Sequence, residues 1–401
     1  MQLRYNFRLD PTPGQRQALA RAFGCARVVC NDGLRARQQA RAAGLGYVSD
    51  GELSRRVTTA KRSPQRRWLA EVSAVVLQQA LADLNIAYRN FFNSLSGTRR
   101  GAKVAPPRLR SRKDHRQSIR FTRNARFIVT PAGRLRLPKI GDVAVRWSRE
   151  LPLKPSSVTV TLDAAGRYFA SFVVDAPAEP GPPSDSQVGI DLGLSSFAAD
   201  SNGRKLDNPR FGRRAAKKLA KAQRALSRCK RGSRNRAKAR VKVAQNHARV
   251  SDTRRDWLHK ESTRIIRDNQ AVYVEDLCVV GLARTRLARS VHDAGWSTFV
   301  ATLEYKAARA GRTFGKVGRW FPSTRRCSEC GTIGEPKALS VRTWTCPCGA
   351  VLDRDVNAAR NILAAGRAEN PTPVEQVSDR DPSRQLAVKQ EPTGSPHPSR
   401  V

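Results

Sequence analysis

Apolar and polar residues alternate over residues 2–10 (QLRYNFRLD), the period of a strand with one buried face. Thr12-Pro13 then supplies an N-cap with proline in the first turn, which predicts a helix running to about residue 43. Ser49 and Glu52 stand at capping-box spacing ahead of a second helix, and VSAVVLQQALADLNIAYRNFFN (72–93) repeats apolar residues every three to four positions. Residues 11–100 are therefore expected to form a helical unit. In 101–116 the Pro106-Pro107 pair and clustered Arg and Lys deny a core, and an exposed basic connector touching phosphates is expected. Between 117 and 175 the pattern becomes short strands: SIRFTR, RFIVT, RLRLP, VAVRW, SVTVTLD and YFASFVVD, separated by Gly, Pro and Asn turns. That describes a small β-barrel or sandwich. The strand at 2–10 has no local hairpin partner and is expected to join it, making the helical unit an insertion.

The segment APAEPGPPSDS (176–186) reads as a linker. Beyond it, VGIDLGLSSFAADSNGRKL predicts a strand, a turn and a hairpin at Asn202-Gly203. Residues 210–267 hold about twenty Lys and Arg against three acids, written as two helices broken at KRGSRN (230–235) with a thin apolar seam. AVYVEDL (271–277) predicts a buried strand, GWSTFVATLEYKAARAG a helix, RTFGKVGRW a strand and VNAARNILAAGRA a final helix. Strands alternating with helices give a mixed α/β sheet. Residues 368–401 lack periodicity and are expected to be a disordered tail.

Length and charge narrow the class. The 401 residues allow several domains, and 75 Lys and Arg against 33 Asp and Glu leave a formal charge of +42, whose self-repulsion calls for a polyanionic partner. Nucleic acid is expected. No apolar run reaches the roughly eighteen residues of a spanning helix, and Met-Gln-Leu-Arg-Tyr at the start carries no signal-peptide core, so a cytoplasmic protein without a membrane partner is expected.

Against that basic background, acids at apolar positions stand out. Asp191 lies inside the strand-like GIDLGL, Glu275 ends VYVE, and Asp355 opens the helix of DRDVNAARN. Taken singly, Asp353 and Asp355 also read as helix caps, and Glu275 with Asp276 as an exposed strand end. Taken together on one sheet-and-helix unit, Asp191, Glu275 and Asp355 point to a hard divalent cation: two Mg²⁺ ions activating water on a phosphodiester. The five histidines (His115, His247, His259, His292, His397) form no metal-binding pair. Cys327 and Cys330, then Cys346 and Cys348, are two close pairs at zinc-ribbon spacing, with one residue instead of two inside the second pair. One structural Zn²⁺ is expected, with a redox or vestigial role as the alternative.

FGCARVVCNDGL (23–34), QSIRF, LPKIG, GIDLGL, VEDL, STRRCSECG and DRDVNAARNIL, in this order, resemble the TnpB family, also called OrfB, of transposon-encoded RNA-guided DNA endonucleases related to type V CRISPR effectors. The resemblance implies a multidomain α/β plus β-barrel protein. It comprises a wedge-like barrel (1–10 and 117–175), an inserted helical recognition unit (11–100) and a RuvC nuclease domain of RNase H fold (187–323 and 352–367), interrupted by a zinc ribbon (324–351). It places the catalytic acids on Asp191, Glu275 and Asp355. It also implies a guide RNA from the transposon end and double-stranded target DNA, cut beside a short motif by a nucleoid-associated protein, monomeric with its RNA. A cleavage-deficient guided repressor and a transposase or its accessory are the alternatives. The intact acids argue against the first, and the lack of a His-x-His partner argues against a tyrosine transposase.

Overall fold

In the computed structural model, which describes residues 1–114, 116–338 and 340–369, strand β1 (Gln2–Asp10) turns Leu3, Tyr5, Phe7 and Leu9 inward. Helix α1 (Pro13–Ala42) starts with a reciprocal cap: the Thr12 hydroxyl accepts from the Gln15 N–H and the Gln15 side chain accepts from the Thr12 N–H. Ser49 caps α2 (Asp50–Arg62) through the Glu52 N–H, and after a 3₁₀ turn (Arg67–Glu71) helix α3 (Ala74–Leu95) packs against α1. Gly33 permits the approach, because a Cβ there would stand only 3.1 Å from Leu84 and 3.2 Å from Leu81.

Strands β2 (Gln117–Thr122), β3 (Ile128–Val129), β4 (Arg134–Leu137), β5 (Gly141–Arg146), β6 (Ser157–Leu162) and β7 (Tyr168–Asp175) complete a seven-stranded antiparallel sheet. Its order is β2-β6-β7-β1-β5-β4-β3, and it curls into a half-barrel. β1 lies in the middle, pairing Tyr5 with Phe172 and Leu9 with Val145. Helices and sheet share one core that includes Leu34, Leu77, Phe121 and Phe172. The basic connector is tied to the helices at two places: the Val104 N–H donates to the Ser94 hydroxyl of α3 (2.9 Å), and Asn31 of α1 donates to the Arg110 carbonyl (2.9 Å) and accepts from its N–H (2.8 Å).

The second half contains β8 (Gln187–Leu192), β9 (Ser196–Asp200), β10 (Lys205–Asp207), α4 (Phe211–Ser227), α5 (Arg234–Asp268) and β11 (Ala271–Glu275). It continues with α6 (Val279–Leu282), α7 (Ala288–Ala294), α8 (Trp296–Ala310), β12 (Thr313–Val317), β13 (Thr343–Thr345), β14 (Val351–Asp353) and α9 (Arg354–Glu369). The main sheet runs β10-β9-β8-β11-β12, with β8, β11 and β12 parallel and β9 and β10 antiparallel. The parallel strands are apolar on both faces, as covering on both sides requires. Val188, Ile190, Val272 and Val274 meet Leu258 of α5 and Phe299 and Leu303 of α8, while Ala271, Tyr273 and Val317 meet Ile362 of α9. The Pro-rich linker is tied down, its Glu179 and Gly181 N–H groups donating to the carbonyls of Arg309 and Ala310.

The chain divides into two units, one of residues 1–177 with 215–251 and the other of 178–214 with the residues from 252 onward. The outer parts of α4 and α5 thus group with the first unit, whereas chain order predicts 207–267 with the second. Helix length gives the reason: the 35 residues of α5 span roughly 50 Å, so its far end need not share the core that roots it. Of the expected tail, residues 370–401 lie outside the described residues.

Two glycines bring α9 onto the sheet. A Cβ at Gly189 of β8 would stand 2.9 Å from the Leu363 Cα and closer still to the Ala359 carbonyl, and one at Gly366 would stand 2.7 Å from the Tyr273 Cβ and closer still to its ring. Gly189→Ala forces helix backbone off the sheet, so it should cost roughly 3 kcal/mol or more. The check is the second unit's urea unfolding, followed through hydrogen exchange of β8 and β11 amides; unchanged protection would show that the crossing is not this close.

Candidate active site

β8 and β11 run parallel with Ile190 beside Val274, so the next residues, Asp191 and Glu275, are neighbours near the same ends of adjacent strands. Alternation turns both toward the face of Gly189 and Tyr273, the one α9 covers. Helix α9 supplies the third acid. Its Ala359 crosses Gly189; Asp355 lies one turn earlier, about 6 Å along the axis, and Asp191 two residues further along β8, a similar distance. Asp191 lies near enough to Glu275 and Asp355 for both charges to act on it.

Asp191 is 9% exposed, and its carboxylate makes no hydrogen bond or ion pair among the described residues. Burial pushes it up to about 7; the charges of Glu275 and Asp355 add to the rise and Arg354 opposes it. Burial also raises Glu275, with Asp276 adding repulsion. The donors are all oxygen and the buried charge lacks a compensating partner, which fits a hard divalent cation such as Mg²⁺. Among the described residues, the group of three or more His, Cys, Asp or Glu close enough to hold one ion is the cysteine cluster, not the three acids.

Asp353 has a separate role. One of its oxygens accepts from the N–H groups of Asp355 and Val356 (both 3.1 Å), and the other from Lys205 Nζ (2.6 Å). It is the cap, so the Asp355 carboxylate is not used at the helix start and acts on Asp191. Arg342, which sequence reasoning missed, stands 3.6 Å from Asp355 and donates to the Ser195 hydroxyl at 2.6 Å in the turn after β8.

The four cysteines meet on two tight turns. Cys327 Sγ lies 3.9 Å from Cys348 Sγ, and Cys330 Sγ 3.6 Å from Cys346 Sγ. A tetrahedron with Zn–S bonds of 2.3 Å has edges of about 3.8 Å, so the sulfurs fit zinc, and the short Cys-Pro-Cys spacing does not open the site. Strand β14 of this ribbon runs straight into α9. Two buried asparagines, also missed from sequence, lock the junction. Asn357 accepts from the Ser328 N–H (2.8 Å) and donates to the Arg326 carbonyl (2.7 Å), and Asn361 donates to the carbonyls of Ser323 (2.8 Å) and Arg326 (2.7 Å). Their spacing of four on an otherwise apolar helix face was the available signal.

An open cleft of about 340 Å³ lies at the C-terminal ends of β8 and β11, lined by Leu192, Glu275, Asp276, Trp296 and Arg319 among others. This is where ligands bind in open α/β sheets. No helix of the described residues is long and apolar enough to cross a membrane.

Comparison with known proteins places these features in context. Residues 170–286 match a family described as "Probable transposase" (OrfB_IS605), residues 296–362 the "Cas12f1-like, TNB domain", and residues 1–45 a "Helix-turn-helix domain". In this chain those first residues are one strand and one 30-residue helix. A "Putative RNA-guided DNA endonuclease" of Streptomyces pristinaespiralis is 44% identical over 97% of this chain and 96% of its own length. A relative of the same description in Escherichia coli is 30% identical over 91% and 92%. The structure titled as the Cas12f1–sgRNA–target DNA complex superposes with a TM-score of 0.53 at 14% identity, covering 88% of this chain and 82% of that one. The fold is that expected: an RNase H-like sheet of RuvC type interrupted by a cysteine ribbon, after a wedge-like curled sheet with inserted helices.

Two outcomes follow from the site. Because the folded pKa of Asp191 is raised, the destabilisation is absent below about pH 4, grows as pH rises toward 7 and is complete above, on the order of 4 kcal/mol. In EDTA at pH 8, Asp191→Asn should therefore be more stable to urea than the parent by a few kcal/mol, with the gap closed by pH 4 and narrowed by Mg²⁺ at pH 8. A gap independent of pH would mean that no buried charge is relieved. Second, Cys348→Ser should lower bound zinc, measured by atomic emission, and with it the hydrogen-exchange protection of the first turn of α9; full protection without zinc would uncouple ribbon and helix.

Proposed function

The chain belongs to the TnpB family, and from that premise we propose that it is an RNA-guided endonuclease that cuts double-stranded DNA beside a short motif, using a RuvC site built from Asp191, Glu275 and Asp355. The observation that carries this reading is a buried Asp191 that makes no hydrogen bond or ion pair among the described residues and feels the charges of both Glu275 and Asp355. When bound, two Mg²⁺ ions would supply an activated water and neutralise the leaving 3′ oxygen.

The protein's own groups prepare that chemistry. β8 and β11 hold Asp191 and Glu275 side by side, and the first turn of α9 presents Asp355 with its backbone capped by Asp353. Arg342, between Asp355 and Ser195, keeps a positive charge where a phosphate would enter. We assign residues 187–323 and 352–367 to the nuclease domain, 324–351 to the ribbon with its Zn²⁺, 1–10 and 117–175 to the wedge and 11–100 to recognition. The basic connector and the α4–α5 arm are positioned in the chain to track phosphates of a guide RNA from the transposon end and of its DNA partner. Sequence would then be read by base pairing and not by side chains. In this reading the protein acts in the cytoplasm on nucleoid DNA, as a monomer with its RNA.

The test starts with RNA that copurifies with the protein. Sequencing should return a discrete transcript, and the complex should cut DNA matching its variable end in Mg²⁺. Asp191→Ala should lower cutting at least a thousandfold, in line with loss of metal-assisted catalysis, while target binding in gel shifts stays within about twofold. Absence of a discrete RNA would remove the guided model, and cleavage surviving Asp191→Ala would remove this active site.

A further inference from the structure

Trp320 is 91% exposed, whereas Trp296 and Trp344 are buried. A large aromatic side chain held this far out of the core invites a partner. The loop that carries it, between β12 and the ribbon, is braced on both sides. Val317 at its start pairs in register with Glu275, and its carbonyl accepts from the Asp276 N–H at 3.1 Å. Arg319 grips Asp276 twice, Nε on the backbone carbonyl (3.2 Å) and a terminal nitrogen on the carboxylate (2.8 Å). The Phe321 N–H closes a turn onto Gly318 (3.0 Å) and its ring packs on the core under α9. Beyond it, Asn361 of α9 holds the carbonyls of Ser323 and Arg326.

The neighbours on either side of Trp320 are thus fastened inward, one beside Glu275 and the other beneath the helix that carries Asp355. The indole is left outward on a fixed base, with Arg319 at its side lining the cleft. Of the four cations in residues 316–326, Lys316 and Arg319 pair with Glu304 and Asp276, while Arg325 and Arg326 form no ion pair among the described residues and are left to meet a polyanion. An exposed ring with Arg325 and Arg326 in the same loop, beside a cleft lined by Glu275 and Arg319, has the make-up of a stacking platform for single-stranded nucleic acid.

We propose that Trp320 stacks on an unpaired nucleobase of the DNA strand being cut and so holds that strand's backbone at the mouth of the cleft. It is a positioning residue, reading no base identity, because every base offers a π face. The inference rests on the nuclease reading above and refines how the strand is held.

The test uses the full chain with its copurifying guide RNA and target DNA carrying single abasic sites at successive positions around the cut. On intact DNA, Trp320→Ala should lower kcat/KM about tenfold, in the range measured for base–aromatic stacking, and Trp320→Phe should stay within about threefold of the parent. One abasic position should slow the parent by about the same factor and slow Trp320→Ala no further, since the ring and the base are lost to the same contact. Melting temperatures should coincide, as the side chain supports no core. If Trp320→Ala cuts like the parent, or if its defect adds in full to that of every abasic site, stacking is overturned while the nuclease assignment stands. If the parent itself cuts nothing, the assignment falls and takes this inference with it.

Discussion

Between β8 and α9 there is room for a hydrogen atom and nothing larger at Gly189, and the arrangement of the acids follows from that approach. A helix on a sheet ordinarily stands about 10 Å off, with side chains filling the gap. Here the glycine lets backbone meet backbone, so Asp355, one turn away from the contact, comes to the level of the strand residues and not above them. Gly366 does the same over Tyr273 further along the helix, which fixes the axis at two points and leaves it no freedom to roll. Side chains at the ends of β8 and β11 then meet a helix terminus whose position is set by contacts elsewhere.

The electrostatics run against the protein as a whole. A chain of formal charge +42 assembles three carboxylates in one place and buries one of them, with Arg354 alone pulling its pKa down. Folding the ion-free protein at neutral pH therefore proceeds against a desolvation penalty that an apolar or amide side chain would not incur. Such a position is kept when something that binds there returns more than it costs. The surrounding excess of arginine and lysine keeps polyanions close to that negative floor, and a divalent ion is what lets a phosphate and a carboxylate share it.

Much of this was legible in the chain because local rules are strong there. Alternation gave β1 and the strands from 117 to 175, and Thr12 and Ser49 gave the helix starts; an acid within GIDLG had no comfortable place except a site. What was hidden depends on tertiary crossings. Nothing local says that β1 inserts between β5 and β7, since a strand's edge or centre position is decided by partners more than a hundred residues away. Asp353 and Asp355 are indistinguishable by composition, and only the direction in which α9 leaves β14 makes one a cap and the other a neighbour of Asp191. Arg342 and Arg319 gave no signal among so many arginines. Asn357 and Asn361 did carry one, a pair of amides at helical spacing on a buried face, which a polar-burial argument would have found.

The ribbon explains why a soft-metal site should sit beside a hard one. Four thiolates would favour Zn²⁺ over Mg²⁺ and carboxylates the reverse, so two such sites would sort their ions by chemistry without a barrier between them. The ribbon is too small to fold on its own apolar residues, Trp344 and Leu352 being the largest side chains in its cluster. A metal on the four sulfurs would supply its order, and that order would be passed on through covalent continuity: β14 ends at Asp353, Asp353 caps α9, and Asp355 is the next residue but one. Asn357 and Asn361 close the loop by tying the helix back to the first cysteine turn. A metal held by the ribbon would thus set the orientation of a candidate catalytic acid through a path of three residues and two amide clamps. This accounts for a ribbon placed between the last strand of the sheet and its last helix, where an insertion would otherwise loosen the contact on which the site depends.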